Sequence, residues 1–154
     1  MLSRNPFKVA AAQAAPIFLN REKTVEKACD LIADAGRGGA KLVVFPEVFI
    51  SGYPDWAWIV PNSHGAVLNK LYAELVQNAI TIPDESTEKL CRAAKQAKIH
   101  VVMGMHERNA EASNSSLFNT LLFIDADGKI MGKRRKLMPT GGECLIWAQG
   151  DGTT

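Results

Sequence analysis

Residues 7 to 47 decide the fold, because two apolar runs, FKVAAAQAA (7–15) and LVVFPE (42–47), flank a helical pattern. Both runs are short and nearly uncharged, as in strands that are buried on both faces. The alanine-rich first run would also suit a helix, but the elements that follow favour a strand. Asn20 can cap a helix that ends at the glycines from Gly36 onward. Strand, helix and strand in this order predict a right-handed βαβ unit in an α/β fold.

The rest of the chain continues the α/β pattern, and no repeat or low-complexity linker divides it. Apolar periodicity and turn residues predict five further elements. These are a loop over 49–63, helices over 64–79 and 86–98, a strand over 100–105, and an antiparallel hairpin ending near Lys136. After Pro139 the composition predicts a glycine-rich loop. We therefore place no domain boundary within the chain.

Composition excludes several classes of protein. Hydrophobic residues make up 47% of the 154 residues and charged residues 22%, which is ordinary for a globular domain. The net charge of +2 is too small for nonspecific nucleic-acid binding. No apolar run approaches the length of about 20 residues that a membrane helix needs, and Lys8 interrupts any signal-peptide core. We therefore predict a soluble, cytoplasmic protein without nucleic-acid or membrane partners.

Glu47 is the first candidate for chemistry. It follows Pro46 at the carboxyl end of an apolar strand, the edge of an α/β sheet at which ligands usually bind. A carboxylate in that place is expected to be desolvated, as suits a general base. The alternative interpretation is a strand-terminal acid that caps a nearby helix.

The basic run from Lys133 to Lys136 supplies the second candidate. It fits a solvated hairpin or a phosphate-contacting patch. Strand alternation places Arg134 and Lys136 on one face and Lys133 and Arg135 on the other, so at least one pair needs buried or interfacial partners. Glu143, seven residues after Lys136, can turn back toward the lysine, or it can be an exposed loop acid.

Two long motifs resemble one known family. Residues 39–54, GAKLVVFPEVFISGYP, resemble the glutamate motif of the nitrilase branch of the carbon-nitrogen hydrolase superfamily. Residues 132–152, GKRRKLMPTGGECLIWAQGDG, are similar to its lysine region. The resemblance extends over the opening strand with Gln13, the pair at 107–108 and the hairpin that contains Asn119. It implies a four-layer αββα sandwich, of which this chain is the amino-terminal half. Residues 7–154 are then a carbon-nitrogen hydrolase domain that is incomplete at its carboxyl end.

The resemblance also implies a function and the residues that perform it. Glu47 is then the general base, Lys136 the catalytic lysine and Glu143 the supporting glutamate. Together with a cysteine nucleophile, they convert a small-molecule nitrile to a carboxylic acid and ammonia, without a metal or an organic cofactor. Because half of a sandwich exposes an apolar sheet face, we also expect a homo-oligomer.

The three cysteines depart from the family pattern. In the family the nucleophile follows the lysine by a few tens of residues, and that segment is absent from this chain. Cys144 stands where the family usually has arginine, and Cys29 and Cys91 are predicted to be inert on apolar helix stripes. We therefore expect the chain alone to be inactive. The alternative function is a noncatalytic family relic or interaction module.

Overall fold

The computed structural model describes residues 6–110 and 113–152, which form a five-stranded sheet with helices around it. The strand order follows the chain, from β1 to β5. The strands are β1 (Val9–Ala11), β2 (Leu42–Val44), β3 (His100–Arg108), β4 (Leu117–Ile124) and β5 (Ile130–Arg135). The α-helices are α1 (Arg21–Arg37), α2 (Trp56–Ile59), α3 (Gly65–Gln77) and α4 (Glu85–Ala97). Two 3-10 helices span Asn62–His64 and Gly141–Leu145.

The amino-terminal part of the sheet is parallel, as the βαβ pattern predicts. Strand β2 pairs in parallel with both β1 and β3, whereas β4 and β5 extend the sheet as an antiparallel hairpin. Helix α1 connects the first two strands, and the Asn20 side chain caps it by accepting a hydrogen bond from the Lys23 amide at 3.0 Å. Gly38 follows the last helical residue. These features confirm the predicted α/β unit.

Helices α1 and α4 cover one face of the sheet. Their buried side chains, such as Ile32 and Leu90, pack against Val101, Met103 and Leu122 of the strands. Successive strand residues point to opposite faces, so Val102 and Phe123 lie on the other face, where they line an open apolar cleft with Phe7 and Met131. One face of the sheet therefore forms the core, and the other is apolar and open beside Val102 and Phe123 but buried around His106.

Several predicted elements differ from the structure, and the second strand covers Leu42–Val44 rather than 42–47. The first strand covers only Val9–Ala11 rather than 7–15, because its partner β2 ends at Val44, whose carbonyl accepts a hydrogen bond from the Ala12 amide. The third strand runs to Arg108, since β4 pairs with it from Val101 to Arg108. The predicted loop over 49–63 contains α2, whose residue Trp56 is buried in a second apolar cluster.

Cys29 and Cys91 pack beside the core on α1 and α4, as their spacing predicts. Burial raises the pKa of both thiols, and the Asp30 carboxylate raises that of Cys29 further. Such thiols keep their protons at neutral pH. Within the described part of the chain, no helix is both long enough and apolar enough to cross a membrane.

Candidate active site

Lys136 joins the two predicted carboxylates. It directly follows β5, and its amide donates to the Asn119 carbonyl at 2.7 Å, which holds the residue against the sheet. Its Nζ lies 2.9 Å from Oε1 of Glu47 and 2.9 Å from Oε1 of Glu143. The fold thus brings together all three residues that the sequence predicts for the site.

Glu47 lies in a tight turn after β2 rather than on the strand itself. This turn packs directly on Gly104 of β3. A Cβ atom on Gly104 would overlap the Pro46 carbonyl oxygen and lie 2.7 Å from the Val48 amide nitrogen. Only glycine therefore lets the turn approach the strand this closely. The expected desolvation of Glu47 is wrong for the described chain, because 47% of its side chain is exposed on the open side of the turn.

Asn119 orients the Glu47 carboxylate. Its Nδ2 donates to Oε1 of Glu47 at 2.6 Å, and the same oxygen accepts from Lys136. Among the residues that the structure describes, no donor binds the second oxygen, Oε2. Glu47 is thus held by one oxygen, and the other is available to a further group.

Glu143 is buried, with 5% of its surface exposed, so the interpretation as an exposed loop acid is wrong. Its Oε2 accepts from the Thr140 amide at 2.8 Å, and its Oε1 accepts from the Tyr53 hydroxyl at 2.9 Å. Burial alone would raise the pKa of Glu143, but the donors from Thr140, Lys136 and Tyr53 outweigh burial and lower it. Glu143 is therefore a fixed negative charge behind Lys136.

Lys136 is held as an ammonium between the two carboxylates. Burial lowers the pKa of its Nζ, but the hydrogen bonds to Glu47 and Glu143 outweigh burial and raise it. The indole ring of Trp147 lies beside the ammonium, with its centroid 5.7 Å from Nζ. A positive charge is thus fixed at the open edge of the sheet.

The rest of the basic run is bound to a different acid. Lys133 and Arg135 both contact the buried carboxylate of Glu107, at 2.6 Å and 2.5 Å, and Thr120 donates to it at 2.8 Å. Lys133 and Arg135 are thus the alternating pair for which the sequence predicts buried partners. The run does not form one solvated hairpin surface.

Comparisons with known proteins show the family of the chain. The model of the carbon-nitrogen hydrolase family matches residues 8–154. The chain belongs to the carbon-nitrogen hydrolase family. It is 42% identical over 149 residues to an aliphatic nitrilase of Rhodococcus rhodochrous, and this match covers 97% of the chain and 39% of the relative. It is 37% identical to a nitrilase of a Bacillus species, over 96% of the chain and 41% of the relative. The chain thus spans about two fifths of the length of these nitrilases.

Solved structures show the same fold. An amidase from a Nesterenkonia species superposes with a TM-score of 0.67 at 18% identity, over 93% of this chain and 48% of the amidase. A variant of that amidase, with acrylamide added at its active-site cysteine, gives a TM-score of 0.69 at 17% identity, over 93% and 49%. These matches confirm the predicted fold, in which this chain is half of a carbon-nitrogen hydrolase domain.

The candidate site includes residues that sequence reasoning missed. Gly104 supports the Glu47 turn, and Tyr53 donates to Glu143. His106 and Trp147 form a buried pair through a 2.9 Å hydrogen bond. The sequence signals for these residues are a glycine and a histidine, Gly104 and His106, inside an apolar strand. Their contact partners lie too far along the chain for residue spacing to reveal them.

The site opens into a cleft of about 450 Å³ on the open part of the sheet. Glu47, Asn119, Arg134 and Lys136 contribute its polar groups, and Leu121 and Leu137 its apolar wall. Within residues 6–110 and 113–152, no three His, Cys, Asp or Glu side chains gather as metal ligands would. A proton acceptor and a fixed ammonium at one opening can take a proton and stabilise negative charge.

Proposed function

We propose that the chain carries the glutamate and lysine part of a nitrilase-type hydrolase, which converts a small-molecule nitrile to a carboxylic acid and ammonia. One observation carries this proposal: the Lys136 ammonium lies 2.9 Å from a carboxylate oxygen of both Glu47 and Glu143. The nitrilase relatives and the active-site cysteine of the superposed amidase support it.

Glu47 has the geometry of a general base. Its Oε1 is held by Asn119 and Lys136, and 47% of its side chain is exposed. In the proposed reaction it takes the proton of a cysteine thiol, which the remainder of the domain supplies after residue 154. A nitrile carbon is a weak electrophile, so attack requires the thiolate rather than the thiol.

Lys136 supplies the positive charge. Attack of sulfur on the nitrile carbon places negative charge on the nitrogen, and the later attack of water places it on an oxygen. An ammonium that is already positioned stabilises both without reorganisation. Glu143 accepts hydrogen bonds from Thr140 and Tyr53, and it fixes the direction of the Lys136 side chain.

The steps balance with two water molecules. Sulfur bonds to the nitrile carbon as one π bond between carbon and nitrogen breaks, and the nitrogen takes the proton that Glu47 removed from the thiol, which gives a thioimidate and restores the Glu47 carboxylate. Water that Glu47 has deprotonated adds to the same carbon, and ammonia leaves to give a thioester. A second water displaces the sulfur, releases the carboxylic acid and restores the thiol.

The same proposal includes the domain organisation, the location and the assembly of the protein. Residues 7–154 are the amino-terminal portion of one domain, whose second half covers the open sheet face. The protein acts in the cytoplasm as a homo-oligomer. The cleft beside Val102 and Phe123 has an apolar lining that includes Phe7 and Met131. Such a lining supports the proposal that this face is covered in the whole domain.

The test uses the coding sequence beyond codon 154. The protein encoded by the continued reading frame is purified and incubated with aliphatic, arylaliphatic and aromatic nitriles, and ammonia is measured. We expect turnover that Glu47→Gln lowers at least about a hundredfold. Glu22→Gln, the same change at an exposed position of α1, is the matched control. A stop codon at this point, or no ammonia from a folded full-length protein, would favour the noncatalytic alternative.

A further inference from the structure

His106 on β3 is completely buried, and both of its ring nitrogens have partners. Nε2 lies 2.9 Å from the carbonyl oxygen of Gly52, and Nδ1 lies 2.9 Å from the indole nitrogen of Trp147. A carbonyl only accepts a hydrogen bond and an indole N–H only donates one. The two contacts therefore select a single neutral tautomer, with the proton on Nε2.

The two partners belong to the two segments that the Tyr53–Glu143 hydrogen bond joins. Gly52 directly precedes Tyr53, whose hydroxyl donates to Glu143. Trp147 lies two residues after the 3-10 helix that contains Glu143, and its amide donates to the Glu143 carbonyl at 2.9 Å. His106 thus connects the segment of the tyrosine donor to the segment of its carboxylate acceptor.

The Trp147 ring transmits this connection to the site. It packs edge-on against the Tyr53 ring, with centroids 5.7 Å apart, and its centroid lies 5.7 Å from Nζ of Lys136. A bond to the indole nitrogen fixes the rotation of the ring, and so the surface that Tyr53 and Lys136 contact. Burial of His106 lowers its pKa to about 4, so the ring is neutral at neutral pH.

We propose that His106 is a positioning residue, a neutral hydrogen-bond bridge that keeps Tyr53 and Trp147 in place and thereby holds Glu143 beside Lys136. Its relevance to catalysis rests on the proposed function. The bridge itself can be measured in the present chain without any nitrile. A histidine that only fills the core would stabilise the fold without changing the surroundings of the Tyr53 hydroxyl.

The Tyr53 hydroxyl reports on the bridge. Burial raises the pKa of Tyr53, the hydrogen bond to Glu143 raises it further, and a contact with Trp58 opposes them. In the chain with ¹³C-labelled tyrosine rings, we expect His106→Leu to move this pKa toward its ordinary value by at least about half a unit in an NMR titration. His106→Gln keeps one donor and one acceptor and should retain the wild-type value.

Two controls distinguish a positioning role of His106 from a general loss of fold stability. Val101→Ala removes a buried side chain from the helix-covered face of the same strand, so it destabilises the fold without touching the bridge. Tyr72, whose hydroxyl donates to the Ser115 carbonyl at 3.2 Å, is the internal reference. An unchanged Tyr53 pKa in His106→Leu, an equal change in Val101→Ala, or an equal fall in His106→Gln would overturn the proposal.

A measurement on the wild-type chain decides the question if His106→Leu does not fold. Long-range ¹H–¹⁵N NMR should show the proton of His106 on Nε2. The Trp147 indole proton should exchange with solvent at least about tenfold more slowly than in the urea-unfolded chain. The opposite tautomer or unprotected exchange would overturn the proposal. Failure of the nitrile assay alone would remove the proposed function and leave this bridge intact.

Discussion

Lys136 and Glu47 are 89 positions apart in the chain, and the lysine Nζ donates to Oε1 of the glutamate at 2.9 Å. The same oxygen accepts a hydrogen bond from the Asn119 side chain. The backbone carbonyl of Asn119 in turn accepts a hydrogen bond from the Lys136 amide at 2.7 Å. Asn119 thus contacts the backbone of one partner and the carboxylate of the other. The end of the β4–β5 hairpin therefore sets the position of Glu47 as well as that of Lys136.

Lys136→Ala should lower turnover of the protein encoded by the continued reading frame at least about a hundredfold. The substitution removes the only cation that contacts both Glu47 and Glu143 within the described residues. Initial rates of ammonia release at saturating nitrile measure the effect. Lys70→Ala, at an exposed position of α3, is the control and should keep the wild-type rate. Near-normal turnover in Lys136→Ala would remove this lysine from the mechanism.

Gly104→Ala should destabilise the chain by about 1–3 kcal/mol, because the added methyl group overlaps the Pro46 carbonyl and pushes the Glu47 turn away from β3. Urea unfolding followed by circular dichroism measures the loss. Gly65→Ala is the matched control, since a Cβ there has nothing within 4 Å and the residue lies in α3. It should raise stability by about 0.5–1 kcal/mol. An equal change in the free energy of unfolding in the two variants would show that the close approach at Gly104 does not restrict this position to glycine.

The sequence predicts the elements of this fold better than their contacts. Periodicity and capping are local, so they identified α1 with its Asn20 cap, and the long motifs identified Glu47, Lys136 and Glu143 by resemblance. The exposure of Glu47 depends on a turn that rests on another strand, and no local pattern contains that information.

The His106 bridge escaped prediction for the same reason. Its partners lie 54 and 41 positions away, so only the folded chain shows that both ring nitrogens are bound. The two faces of the basic run could be predicted, because alternation along a strand is local. The identity of Glu107 as the common partner of Lys133 and Arg135 could not.

Glu107 should make stability depend on pH. Burial raises the pKa of its carboxyl group, but hydrogen bonds from Arg135, Lys133 and Thr120 outweigh burial and hold it below its ordinary value of 4.5. The folded chain thus disfavours the protonated form more than the unfolded chain does. The contribution of the Glu107 carboxylate to the free energy of unfolding is therefore complete above a pH of about 4.5. It is lost as the pH falls through the lowered pKa.

Glu107→Gln tests this relation. The variant leaves Lys133 and Arg135 without their carboxylate, so at neutral pH it should be less stable by about 3 kcal/mol. Urea titrations at a series of pH values should show this difference narrowing in acid, whereas Glu22→Gln stays close to wild type throughout. A difference that is constant with pH would contradict the charge-based explanation.

The chain of residues 1–154 should associate in solution, because the open sheet face carries apolar side chains such as Phe7 and Met131, which are 67% and 66% exposed. Size-exclusion chromatography with light scattering measures the mass. Met131→Gln should shift the distribution toward monomer, while Ile59→Gln, an equally apolar and exposed site on α2, should not. A monodisperse species of 16.8 kDa for the wild-type chain would rule out association.

The same chain should hydrolyse no nitrile by itself, because none of its three thiols is placed as a nucleophile. A nucleophile must lie within about 3.5 Å of the carbon it attacks and within hydrogen-bond reach of its base. The Cys144 thiol instead donates to the Pro139 carbonyl at 3.3 Å, next to a glutamate that is engaged with Lys136. Cys29 and Cys91 pack against the helix-covered core, away from the open face. Ammonia assays on a nitrile panel, with intact mass spectrometry for a thioimidate or acyl adduct, should give neither product nor adduct. Sustained ammonia release that Cys144→Ala abolishes would show that Cys144 is the nucleophile after all.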